Sequence, residues 1–122
     1  MDKTATIAIV DDDEGVRSSL TSLLRSLGYE VRSYSSAQDF LDDHKAGDPA
    51  CMITDIQMPN MTGDQLQAEL IARGRSVPMI FMTAFPTEVT RARVMAAGAL
   101  AYLDKPADDD AIARCLASVF NG

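Results

Sequence analysis

Asp11 and Asp12 follow the apolar run ATIAIV, Asp55 follows ACMIT, Thr83 follows PMIFM, and Lys105 follows ALAYLD. If those runs are neighbouring parallel strands, one edge of one sheet collects three carboxylates, a hydroxyl and an ammonium. That edge is where open α/β sheets place their ligand sites. Three carboxylates gathered without compensation repel by roughly 4 kcal/mol per pair at about 4 Å and an effective dielectric near 20. A cation has to hold them. Lys105 supplies one charge, and the remainder argues for a hard divalent metal such as Mg²⁺, which binds through one or two carboxylates and keeps several waters.

The elements that must position these groups are legible in the pattern. Strand-like runs begin near Ala5, Glu30, Ala50, Pro78 and Ala99, and the stretches between them have helical spacing. Val16, Leu20, Leu23, Leu24 and Leu27 form one apolar stripe, with Arg17, Ser18, Ser22 and Arg25 on other faces. Gly28, Gly47, Gly74 and Gly98 then stand where four helices should stop in the left-handed region. Ser35 or Ser36 is placed to cap the helix carrying Phe40 and Leu41, and Asp64 puts negative charge in the first turn of the helix carrying Leu66, Leu70 and Ile71. The fourth helix, Glu88 to Ala97, has an alanine-rich apolar side and is expected to be marginally packed and mobile. The fifth carries Ile112, Cys115, Leu116, Val119 and Phe120 on one stripe, behind the acidic start Asp108-Asp109-Asp110. Strand starts this far apart rule out hairpins and suit right-handed βα units. The expected fold is therefore a doubly wound (βα)5 three-layer sandwich with a parallel five-stranded sheet.

With 122 residues and 47% apolar content, the chain is read as one domain spanning 1–122. The net charge of −7 leaves no basic stripe for a phosphate backbone, so direct nucleic-acid binding is not expected and proteins are the expected partners. No apolar run is long enough to span a membrane and no targeting segment opens the chain; the expected location is cytoplasmic. Cys51 and Cys115 lie among apolar residues and read as small hydrophobes in a reducing compartment, not as a disulfide.

The segment Asp55-Ile56-Gln57-Met58-Pro59-Asn60-Met61-Thr62-Gly63, together with Asp11-Asp12, Thr83-Ala84 and Lys105-Pro106 in that order, resembles the receiver domains of two-component response regulators, the CheY-like group. The opening VDDDEGVRSSLTSLLRSLGYEVRSYSSAQDFL looks most like the nitrogen-fixation regulator (FixJ-like) type. The resemblance implies the flavodoxin-like strand order 2-1-3-4-5, for which this family is a standard example. It implies that Asp55 is the phosphoacceptor, taking a phosphoryl group from a sensor histidine kinase in a Mg²⁺-dependent reaction. It further implies that Asp12, Asp55 and the backbone carbonyl of Gln57 ligate the metal, with Asp11 acting through a water. Lys105 and Thr83 would meet phosphoryl oxygens, and Lys105-Pro106 would be cis.

By the same resemblance, Thr83 moving toward the phosphoryl group vacates space for Tyr102, three residues before Lys105, and re-poses the surface of the fourth helix, fifth strand and fifth helix. That surface would control a downstream effector, transcriptional in this subgroup, or a phosphorylation-dependent homodimer. Tyr102 as a plain core aromatic is the other reading. Gln57, Ala84 and Phe85 would flank the phosphoryl pocket, with Ala84 leaving it open and Gln57 and Phe85 setting the dephosphorylation rate. The chain departs from the pattern at Phe85-Pro86-Thr87 and at Ala107, both on the signalling face. Relatives of this type carry a helix-turn-helix after the receiver, so the chain reads as a piece excised from such a regulator or as a stand-alone receiver, with excision preferred.

Blander assignments belong beside these. Asp11 to Glu14 taken alone is an acidic turn capping a helix. His44, the one histidine, reads as a surface residue, and Met52, Met58, Met61, Met79 and Met82 as core and loop filler. Three other functions compete. A Mg²⁺-dependent phosphohydrolase with an aspartyl-phosphate intermediate usually needs a second acid where this chain has Gln57. A flavin carrier would need a phosphate cradle where this chain has four acids. A pseudo-receiver would have lost acceptor-site residues that are all present. The chain is thus expected to be a phosphoacceptor and not an enzyme.

Overall fold

Side chains alternate across a strand, and here both alternating sets are apolar because both faces of the sheet are covered. The structure, a computed structural model, describes residues 5–43 and 47–121. Its elements run β1 (Thr6–Val10), α1 (Glu14–Ser26), β2 (Glu30–Tyr34), α2 (Ala37–Asp42), β3 (Cys51–Asp55), α3 (Gly63–Ala72), β4 (Met79–Thr83), α4 (Glu88–Ala96), β5 (Ala101–Asp104) and α5 (Asp109–Asn121). All strand pairs are parallel, in the order β2-β1-β3-β4-β5. Ile7, Ile9, Ile53, Ile80 and Met82 meet α1 and α5 on one face, whereas Ala8, Val10, Met52, Met79 and Phe81 meet α2, α3 and α4 on the other. The expected three-layer sandwich and its strand order are both present.

Helix ends follow local chemistry. Asp13 caps α1, its carboxylate accepting from the Gly15 and Val16 N–H groups. Ser36, not Ser35, caps α2 by accepting from Asp39 N–H. Thr62 and Gln65 form a reciprocal capping box on α3. Helices α1, α3 and α4 close on Gly28, Gly74 and Gly98, each at positive φ, with the paired backbone bonds of a Schellman motif. The same stop expected at Gly47 does not occur. Helix α2 closes earlier, at Asp42 with Asp43 as its cap, and Gly47 is not left-handed; its carbonyl instead accepts from the Arg32 guanidinium. His44 lies outside the described residues. Cys51 is buried, with its thiol pushed up to about 12 by that burial; Cys115 is half-buried, and both are free thiols. Met52, Met58, Met79 and Met82 are core, with Met61 packed against it. Among the described residues no helix is long and apolar enough to cross a membrane.

The loop leaving β3 is tightly folded. Asn60 sits at φ 72° inside a γ-turn closed by Met61 N–H to Pro59 C=O at 2.8 Å, and Gly63 N–H returns to Ile56 C=O at 2.9 Å. A Cβ on Gly63 would stand 2.2 Å from the Asp55 carbonyl oxygen, so only glycine lets α3 start against the end of β3. Gly63→Ala must displace the backbone carrying Asp55, and we expect it to lose about 2 kcal/mol or more in chemical denaturation. A variant as stable as its parent would show that this approach is not a constraint.

Candidate functional site

Parallel pairing brings the C-terminal ends of β1, β3, β4 and β5 to one edge, and the five residues singled out by the sequence arrive there from four different strands. Asp55 and Thr83 are the last residues of β3 and β4; Asp11 and Lys105 directly follow β1 and β5. Lys105 Nζ stands 2.9 Å from Asp11 Oδ2 and 3.2 Å from Asp55 Oδ2. Both acids are buried, whereas Asp12 is exposed. One carboxylate oxygen from each of Asp11, Asp12 and Asp55 lies within 4.8 Å of the others.

The acid run divides its labour. Asp11 faces Lys105 and accepts the Asp13 N–H, and its backbone carbonyl accepts from Arg17 at 2.6 Å. Asp12 projects to the cluster, while Asp13 is spent on the helix cap and Glu14 begins the first turn. The tetrapeptide is thus divided: Asp11 and Asp12 face the Asp55 carboxylate, whereas Asp13 and Glu14 serve the start of α1.

Burial raises the Asp55 carboxyl above its ordinary range, and the Asp11 charge adds to that; Lys105 and the Gln57 backbone N–H pull the other way without winning. Burial is also the largest influence on Lys105 and lowers it, but the hydrogen bonds and charges of Asp11 and Asp55 together outweigh it, so its ammonium is held more firmly than usual. Three carboxylates against one ammonium leave two negative charges uncompensated. Hard oxygen donors with that excess charge fit a divalent cation such as Mg²⁺.

Thr83 is fully buried, its hydroxyl donating to Gln57 Oε1 at 2.5 Å and accepting from Phe85 N–H at 3.0 Å. The Gln57 side-chain bond is not readable from the sequence, because it spans 26 residues and depends on the β3 loop turning back. Nor is the Arg17 contact, which needs α1 to lie across the end of β1. Tyr102 is half-buried; it packs against the core on the α2, α3 and α4 face, and its hydroxyl accepts the Thr87 N–H at the start of α4. Ala84 and Phe85 are exposed, Phe85 at 70%. The Lys105–Pro106 bond is cis. A groove of about 600 Å³ opens beside the acids between α1 and α5, lined by Val16, Leu20, Met82, Ala84, Lys105 and Pro106 among others. A second hollow of about 420 Å³ between α3 and α4 lies at the other end of the sheet and has no carboxylate in its lining.

This fold and this edge define a response-regulator receiver. Residues 7–117 match the family model described as the response regulator receiver domain, and the chain belongs to that family. It is 40% identical over 102 residues to the transcriptional regulatory protein TdiR of Thauera aromatica, covering 84% of this chain and 45% of that protein. It is 39% identical over 112 residues to the transcriptional regulatory protein FixJ of Azorhizobium caulinodans, covering 92% and 53%. The chain thus spans about half the length of the curated relatives it matches. Among solved structures it is similar to FixJ-N, with a TM-score of 0.85, 31% identity and coverage of 98% of this chain and 94% of that one. Full-length FixJ from B. japonicum gives a TM-score of 0.86 and 30% identity, over 98% of this chain and 59% of that one.

The raised Asp55 carboxyl has a consequence for stability. A group that takes up its proton more readily folded than unfolded costs stability once charged. Metal-free stability should therefore fall as pH rises from the ordinary 3.8 through the higher folded value. Asp55→Asn should remove that fall and unfold at a higher temperature than the parent at neutral pH. Adding Mg²⁺ should raise the parent's stability, by about 2.7 kcal/mol at a hundredfold excess over its dissociation constant, and should do so far less in Asp12→Asn. Thermal unfolding against pH and Mg²⁺ checks both; a parent indifferent to Mg²⁺ would remove the metal from the site.

Proposed function

We propose that the chain is the phosphoacceptor module of a two-component signalling protein, with Asp55 as acceptor and a phosphohistidine on a sensor kinase as donor. The observation that carries this reading is the sharing of Lys105 between Asp11 and Asp55, with Asp12 completing a cluster of cation-binding geometry. Two-component output in the relatives named as transcriptional regulators makes transcription the output class. The effector is then a domain or protein beyond the receiver fold, with a phosphorylation-dependent homodimer as one form of that output. A cytoplasmic setting suits the free thiols and the kinase partner.

In the transfer, an Asp55 carboxylate oxygen forms a bond to phosphorus as the phosphorus–nitrogen bond to the donor imidazole breaks. The imidazole keeps the electron pair and takes a proton from solvent. Asp12, Asp55 and the Gln57 backbone carbonyl would hold Mg²⁺, with Asp11 acting through a water. When bound, Mg²⁺ supplies the positive charge that lets an anionic nucleophile approach an anionic phosphoryl group. Lys105 is already within ion-pair distance of Asp55 and follows the same charge onto a phosphoryl oxygen, where a compact ammonium suits the task. Lys105, 3.2 Å from Asp55 Oδ2, favours the charged carboxylate, the form that acts as nucleophile. Thr83 would supply a hydroxyl donor to another phosphoryl oxygen, and Tyr102 would then follow into the space Thr83 leaves. Ala84, exposed and small beside Lys105, keeps the approach open. No second acid stands two residues past Asp55, which speaks against a phosphohydrolase.

Incubation with Mg²⁺ and acetyl phosphate should give one base-labile phosphoryl adduct by intact mass, absent in Asp55→Asn. Labelling that survives that substitution would falsify the acceptor assignment. Thr83→Ala should still accept phosphate while losing phosphorylation-dependent association, read by sedimentation. Equal association in both proteins would take Thr83 out of the switch.

A further inference from the structure

Gln57 touches both the acceptor and the threonine that is to sense it. Its backbone N–H bonds the Asp55 carboxylate, and its side-chain Oε1 accepts the Thr83 hydroxyl proton at 2.5 Å. A hydroxyl has a single proton to donate. While Gln57 holds that proton, Thr83 has no donor left for an anion on Asp55, and the Phe85 N–H occupies one of its lone pairs.

We propose that the Gln57 side chain is a latch: a positioning residue that keeps Thr83 in its resting pose and must release it before Thr83 can bond a phosphoryl group on Asp55. The proposal rests on the phosphoacceptor reading above. The two partners are unequal in a way that suits a latch. Gln57 is exposed, so its released amide finds water at little cost. Thr83 is fully buried and cannot, so it exchanges one protein partner for another and never stands unbonded. The strength of the latch is subtracted from the new Thr83 bond, so Gln57 sets how far the switched state is populated at a given level of phosphorylation.

Beryllofluoride, a phosphoryl mimic that is bound but not transferred, tests this in saturating Mg²⁺ by fluorine NMR titration. Five proteins are compared: the parent, Gln57→Leu, Thr83→Val, the double variant, and Gln57→Met as a second side chain that cannot accept the hydroxyl proton as strongly. Gln57→Leu should bind the mimic about fivefold more tightly than the parent, the size of one released hydrogen bond. In the Thr83→Val background the same substitution should change affinity by less than about twofold, since no hydroxyl remains to be latched. The Phe85 amide resonance of mimic-free Gln57→Leu should also move toward its loaded position. Tightening that persists without the Thr83 hydroxyl means that Gln57 acts on the mimic directly, and it overturns the latch; so does unchanged affinity in both Gln57 variants. If the parent takes up no beryllofluoride, or Asp55→Asn takes it up equally, the phosphoacceptor reading fails and the latch goes with it. The two failures are thereby told apart.

Discussion

One ammonium shared by two buried carboxylates is the interaction on which the site depends. Lys105 reaches both Asp11 and Asp55, and neither acid lies at the surface where water would screen it. Such a triad is not a source of stability in itself, since desolvation offsets most of the Coulombic gain. Its value lies in what it leaves over. With Asp12 added, the edge keeps two negative charges that protein does not neutralise. An excess of carboxylate over ammonium at one strand edge is an arrangement that a divalent cation could relieve.

Strand alternation then places Asp55 and Thr83 on opposite faces of the sheet. Asp55 shares the parity of Ile53, and Lys105 that of Leu103, both on the α1 and α5 face; Thr83 shares the parity of Phe81, on the α2, α3 and α4 face with Tyr102. Asp55 is level with Met82 and Thr83 stands one residue further along, so the two strand ends send a carboxylate to one side and a hydroxyl to the other. Gln57, at the mouth of the β3 loop, is the residue that bridges that divide.

Much of this was legible in the sequence because it rests on local rules. Apolar runs ending in Asp11, Asp55, Thr83 and Lys105 marked the strand edge, and glycine after an amphipathic stripe marked the ends of α1, α3 and α4. Gly47 failed as a stop for a physical reason: α2 is short and closes at Asp43, well before the glycine, so no left-handed residue is required there. Strand order came from family resemblance, since periodicity alone does not rank parallel neighbours. The division of Asp11 to Glu14 between site and helix cap, and the bond from Gln57 to Thr83, are settled only when distant strands fix the turn geometry.

The distribution of holds along α4 explains where a disturbance at Thr83 can travel. Val94 is its one fully buried side chain, the Val94 carbonyl accepts from Gln67 of α3, and Arg93 bonds Asp64 at 2.5 Å. All three lie in the second half of the helix. The first half exposes Val89 at 72%, follows the exposed Phe85, and is tied to the sheet through the Tyr102 hydroxyl on Thr87 N–H. Helix α4 is therefore pinned at the end far from the acids and lightly tethered at the end beside them, and the tether is the aromatic side chain that shares a face with Thr83. A displacement at Thr83 would act on the end of α4 with least packing to resist it, the end beside which Phe85 and Val89 stand exposed.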